Sequence, residues 1–149
     1  MDIRERYAHL PLEQQLAAEK YFSGGKKKKV SPANSLTDAI RDYCHLLGCA
    51  TARINTTGIY DQALGKYRFA GSTKGVEDID VSLPVIIHSV PACIKIAVEV
   101  KIGKDRQRED QIIRQSKLEK AGAHYIIAKT FNEFKQDFDS IILHYKQFK

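Results

Sequence analysis

The sequence predicts an α/β fold, a mixed sheet flanked by helices. Segments of period 3.6 and period 2 alternate along the chain in the order α-β-β-β-α-β-α rather than clustering by type. The 149 residues suit one compact domain, and no internal repeat is visible. A composition of 43% hydrophobic and 28% charged residues is ordinary for a soluble globular protein.

Residues 1–33 read as a helical extension with a basic linker, ahead of a main domain over 34–149. "PLEQQLAAEKYF" predicts a short helix with Pro11 near its start. Gly24 and Gly25 end it, and four lysines follow, which read equally as a solvated loop or a phosphate-tracking segment. "SLTDAIRDYCHLLG" predicts the first main helix, with Ser35 as its cap and Gly48 at its end. Leu36, Ile40, Tyr43, Cys44 and Leu47 form its apolar stripe.

"CATARIN" reads as a short strand, and "TTGIYDQALGKYRFAGSTKG" as a long hairpin or loop. In that loop Tyr60, Tyr67, Arg68 and Phe69 mix aromatic and basic character, as either a nucleic-acid-contacting wing or loop packing would. Two strands follow, "VEDIDVSL" and "CIKIAVEV", with Pro84 and Pro91 bracketing an extension or turn between them. "DRQREDQIIRQSKLEKAG" reads as a helix ending at Gly122, and "AHYIIA" as a strand. The last helix opens on a Thr130/Glu133 capping box, and Phe131, Phe134, Phe138, Ile141, Ile142 and Tyr145 repeat at helical spacing.

The net charge of +6 favours an anionic partner, nucleic acid being the commonest. Cys44, Cys49 and Cys93 lack CxxC spacing and read as buried free thiols, while the five histidines are scattered, which argues against zinc. No apolar run approaches a membrane span, and the N-terminus is charged, so the expectation is a cytoplasmic protein with no membrane partner.

Chemistry concentrates in the two central strands. Residues two apart in a strand share a face. Glu99 and Lys101 therefore point one way while Val98 and Val100 point the other, and the same parity groups Asp78 with Asp80. If the strands pair, Asp78 or Asp80 converges with Glu99 and Lys101. Two carboxylates at one spot need a cation, and hard oxygen ligands with water-filled positions suit Mg²⁺ or Mn²⁺. With a lysine beside them they make a hydrolytic phosphodiester site.

"KGVEDIDVSL", "VEVKIGKDRQREDQ" and "LEKAGAHYIIAKTFNEF", in this order, resemble the PD-(D/E)XK nuclease superfamily, and most nearly its VRR-NUC branch, which has small phage and mobile-element members. The upstream "LLGCATARINTTG" fits the same pattern, and the likeness covers about residues 34 to 135. The resemblance implies a restriction-endonuclease-like αβββαβ core and a Mg²⁺- or Mn²⁺-dependent endonuclease acting on branched, nicked or duplex DNA. It also implies homodimeric assembly in the cytoplasm of a bacterial or phage-infected cell.

By position, the resemblance assigns Asp78 as the first acid, Glu99 as the second and Lys101 as the lysine. The carbonyl of Val100 becomes a further metal ligand. Gln111 opens the following helix beside the site, and Lys104, Arg106 and Arg108 lie near the scissile phosphate. Glu77 stands where many relatives have proline, and strand parity turns it away from Asp78 as a neutral position. Relatives often supply a further carboxylate from the first helix, but Asp38 lies opposite the stripe of its helix; Asp80 reads either as the candidate extra metal ligand in its place or as simply solvated. The rival readings are a non-catalytic nucleic-acid-binding module that keeps the nuclease fold, and a basic subunit of a larger complex.

Overall fold

A computed structural model describes residues 31–54, 58–68 and 73–146. The expected N-terminal helix, the lysine run and Phe69 lie outside the described residues.

Helix α1, Pro32–Leu46, starts ahead of the expected Ser35. Ser31 is the cap instead: its Oγ accepts the Asn34 N–H at 3.3 Å, and Pro32 occupies the first turn, where its missing N–H costs nothing. The far end is as expected, with Gly48 adopting φ +81° just past the last turn.

Strand β1 (Ala50–Arg53) follows, then a separate hairpin of β2 (Ile59–Asp61) and β3 (Lys66–Arg68). Strands β4 (Ile79–Ile87) and β5 (Val90–Val100), helix α2 (Glu109–Lys120), strand β6 (His124–Ala128) and helix α3 (Phe131–Lys146) complete the order. The main sheet runs β1-β4-β5-β6, antiparallel except for the parallel β5–β6 pair, so it is mixed as predicted.

The segment between Pro84 and Pro91 is an extension. β4 and β5 pair as far as Ile87↔Val90 around a two-residue turn, His88 and Ser89, both at positive φ. In an antiparallel ladder, hydrogen-bonded and non-bonded pairs alternate. Counting from the turn, Pro84 and Pro91 fall on non-bonded pairs, so neither removes a bond between the two strands. β1 reaches only Ser82 and β6 only Ile96, which leaves both prolines on open edges.

One face of the sheet carries the core. Ile79, Val81, Ile96 and Val98 are fully buried, and Ile40 of α1 with Phe134 and Phe138 of α3 cover them. The two phenylalanine rings stack with centroids 5.2 Å apart, and Tyr43 donates from Oη to Asp139 at 2.6 Å. Truncating either phenylalanine would cost about 3–5 kcal/mol. Cys44 and Cys49 are buried free thiols, and burial pushes the Cys49 pKa up to about 11. Cys93 corrects the expectation: it is exposed, because strand alternation puts it on the face opposite Ile94 and Ile96, which pack on the core. Among the described residues, no helix is long and apolar enough to cross a membrane.

The opposite face is polar and lies under α2, which packs on β6. At the end of that face, where β4 begins and β5 finishes, the chemistry-bearing residues meet.

Candidate active site

Three elements build the site: the loop entering β4, the end of β5 and the first turn of α2. Asp78 is held by its backbone and its carboxylate together. Its N–H donates to the Val98 carbonyl at 3.1 Å, its carbonyl accepts from Ile54 N at 2.9 Å, and its Oδ2 accepts from Val100 N at 2.8 Å. Val98 is already registered against Ile79, so two residues of one strand share a partner, as in a β-bulge.

This step corrects the parity expectation. Glu77 is not a neutral, outward position. It is 1% exposed, and its carboxylate lies 3.2 Å from Lys95 Nζ and 3.2 Å from Arg114 Nε of α2. Burial pushes the Glu77 pKa up, but a backbone hydrogen bond, Arg114 and Lys95 together outweigh it and hold the carboxyl below its ordinary value. Asp80 ion-pairs with the same Lys95 at 2.6 Å and does not line the pocket, so it is not brought to Asp78. The extra residue at Asp78 shifts the alternation, and Glu77 and Asp80 become the pair with a shared neighbour. Asp38 is exposed on α1, which packs on the other face.

Glu99 and Lys101 do share a side. Lys101 Nζ stands 3.0 Å from Glu99 Oε1 and 3.5 Å from Asp105 Oδ2. Both members of the pair are buried, at 1% and 6% exposure. Glu99 has three further neighbours. Gln111 donates from its side-chain amide to Oε1, Tyr125 Oη lies 3.5 Å from Oε2, and the Asp78 charge is close enough to act on it. Burial, and then Asp78, push the Glu99 pKa up, while Lys101 and Gln111 pull it partly back.

The Val100 carbonyl also faces the site. The next amide, Lys101 N, donates across to Ala128 O of β6 at 2.9 Å. In a planar trans peptide the carbonyl points the opposite way from that N–H, which is the Asp78 side.

Gln111 and the loop before β4 fit together through a glycine. Gly75 adopts φ +71°, and a Cβ there would stand 2.3 Å from the Asp110 carbonyl oxygen. Only glycine lets this loop lie against the first turn of α2.

The resulting cavity has a volume of about 520 Å³, and its wall includes Lys74, Asp78, Glu99, Val100, Lys101 and Gln111. Arg108 also lines it, whereas Lys104 and Arg106 are exposed on the same loop outside its wall. Asp105 and Asp110 line it too, and sequence reasoning missed both, together with Lys74 and Tyr125. Gly75, three residues before Asp78, was the one signal available for the loop.

Among the described residues, no three histidine, cysteine or acidic side chains converge as a ready-made metal cluster. The donor set is two carboxylates and one carbonyl facing an open cavity. Hard oxygen donors with room for several waters fit a small divalent cation such as Mg²⁺ or Mn²⁺. Burial first, and the nearby Asp78 charge second, raise the Glu99 pKa, and a bound cation would offset both.

The fold resembles two solved chains. One, described as "VRR_NUC domain", is 18% identical, covers 78% of this chain and 99% of its own, and superposes with a TM-score of 0.50. A second, described as "VRR_NUC domain protein", is 14% identical over 81% of this chain and 93% of its own, with a TM-score of 0.45. The first likeness shows the fold, a restriction-endonuclease-like mixed α/β core. No family model and no curated protein matches the chain.

Proposed function

We propose that this protein is a divalent-metal-dependent endonuclease that hydrolyses DNA phosphodiester bonds at the β4–β5–α2 site. The observation that carries the reading is the buried Lys101–Glu99 contact of 3.0 Å, set beside Asp78 and the Val100 carbonyl on one open cavity. A structural ion pair has no need of a second acid, a glutamine donor and an open approach.

Asp78, Glu99 and the Val100 carbonyl would hold magnesium or manganese, which when bound supplies Lewis-acid polarisation and acidifies water near neutral pH. Lys101 has donors to orient an attacking water and a charge to stabilise the negative charge building on the phosphate. Gln111 keeps Glu99 in one rotamer, so its oxygens are presented without reorganisation. Lys74 and Arg108, on the cavity wall, are placed to neutralise phosphates, with Lys104 and Arg106 following along the loop. Binding should then weaken steeply with salt.

The test is cleavage of plasmid and branched DNA with Mg²⁺ and with EDTA, by the wild type and by Glu99→Gln and Lys101→Ala. Loss of cleavage with EDTA and in both variants supports the site, and cleavage that survives both substitutions rules it out.

A further inference from the structure

We propose that the β2–β3 hairpin is a base-stacking arm that engages unpaired nucleotides close to the cleavage site, a reading that rests on the nuclease assignment above. Tyr60 stands directly opposite Tyr67 in the hairpin, so both rings share one face. Their centroids are 5.1 Å apart at 64°, yet the residues are 52% and 71% exposed. Among the described elements, β2 and β3 touch each other and no other helix or strand. Packing against the body therefore does not account for these rings.

The hairpin is built to hold its shape without that packing. Asp61 pairs with Arg68 Nε at 2.6 Å and accepts the backbone N–H groups of Ala63 and Leu64 at 3.0 and 3.2 Å. Gly58 lies so close to the facing strand that a Cβ would stand 2.8 Å from the Arg68 carbonyl. A preformed aromatic face loses little conformational entropy when a planar group stacks on it.

Both ends of the connection root at the active site. Ile54, the last described residue before the hairpin, donates to the Asp78 carbonyl at 2.9 Å, and Thr73, the first after it, lines the cavity. The short tether from Ile54 keeps Tyr60 within about 22 Å of it, at no more than about 3.6 Å per residue. That is a reach of about six base steps at about 3.4 Å each.

Nucleic acid fits this arm better than a protein does. Lys66 is exposed beside Tyr67, Arg68 carries its charge against Asp61, and the chain as a whole carries +6. Aromatic rings interleaved with cations bind single strands whatever the sequence, because every base offers a π-face. An intact duplex hides those faces, so the arm selects DNA with unpaired bases at a gap, flap or branch.

The experiment uses the full chain without divalent metal. A gapped duplex with 2-aminopurine in the gap and an uninterrupted duplex of equal length are each titrated with wild type, with Tyr60→Ala/Tyr67→Ala and with Tyr60→Phe/Tyr67→Phe. The expected result is quenching of 2-aminopurine by wild type, about tenfold or more weaker gapped-DNA binding by the alanine variant, and unchanged duplex binding. The phenylalanine variant, which keeps the rings, should retain gapped-DNA affinity. Equal affinity of the alanine variant for gapped DNA overturns the arm while leaving the nuclease reading intact. Failure of wild type to bind gapped DNA overturns the arm, while the nuclease reading stands or falls by the cleavage assay above. Size-exclusion showing that the alanine variant has changed oligomeric state, with its affinity loss following that change, overturns the arm in favour of a protein-contact surface.

Discussion

Gln111 joins the first turn of helix α2 to Glu99. Its carbonyl oxygen receives the Arg108 N–H at 2.9 Å, and its amide donates to Glu99 Oε1. One side chain thus caps a helix and orients a buried carboxylate. Gln111→Ala should lose both contacts, costing about 1 kcal/mol of stability from the cap and a larger share of activity from a disordered Glu99. Gln111→Glu can still accept the Arg108 N–H but brings a third negative charge to Glu99. Thermal melts beside cleavage rates separate the two effects: both variants should lose activity, with a small stability loss for Gln111→Ala and a larger one for Gln111→Glu, whose new carboxylate is buried beside Glu99, and wild-type activity in either variant would count against the orienting role.

The crowding of Asp78 and Glu99 predicts stabilisation by metal. A ligand that binds only the native state adds about 2.7 kcal/mol when present at about 100 times its Kd. Mg²⁺ or Mn²⁺ should raise the wild-type Tm, and Asp78→Asn or Glu99→Gln should abolish the rise. Calorimetric titration of each protein with the metal alone checks this without reference to cleavage.

Glu77 is the buried acid whose loss should be felt in stability. Lys95 and Arg114 keep about a third of their side chains in solvent, so Glu77→Leu loses charge-assisted hydrogen bonds without stranding a buried cation and should cost about 1.5–3 kcal/mol. Because the folded state holds the Glu77 pKa below its ordinary 4.5, its stabilisation is present above that value and fades as pH falls below it. Glu99 has the opposite sign, since its raised pKa favours the folded state more as it protonates. The difference in stability between wild type and Glu77→Gln, followed from pH 7 to about 3, isolates the Glu77 contribution and should shrink towards the acid end.

Gly75→Ala places a methyl where the Asp110 backbone stands, at a φ that disfavours any side chain. The positive φ alone costs about 1–2 kcal/mol, and relieving the clash must move the loop away from α2. Activity should fall further than stability, because Asp78 follows that loop into β4 while Gln111 stays on α2. Urea melts with parallel cleavage assays would show it.

Much of the site was legible because strand alternation is local chemistry. Glu99 and Lys101 lie two apart at the end of a regular strand, and the structure keeps them on one side. Asp80 and Glu77 were misread for the opposite reason. A single extra residue at Asp78 breaks the period, and nothing in "VEDIDV" marks where the break falls. The start of α1 was misread because Ser31 and Ser35 are both competent caps, and the choice depends on the turn that Pro32 opens.

By itself the sequence determined the element order, the apolar stripes of α1 and α3 and the glycine ends of helices, and it put forward Asp78, Glu99, Lys101 and Gln111 as site candidates. All of these follow from periodicity and backbone preference within a few residues, or from a motif carried along one stretch of chain. Tertiary structure decided what those residues meet. It tied Glu77 and Asp80 to Lys95, brought Asp105, Asp110 and Lys74 to the cavity wall, aimed the Val100 carbonyl through the β5–β6 pairing, and left Tyr60 and Tyr67 exposed on a hairpin. Each of these depends on contacts between segments distant in sequence, where one bulge or one close backbone approach redirects a side chain that local pattern places elsewhere.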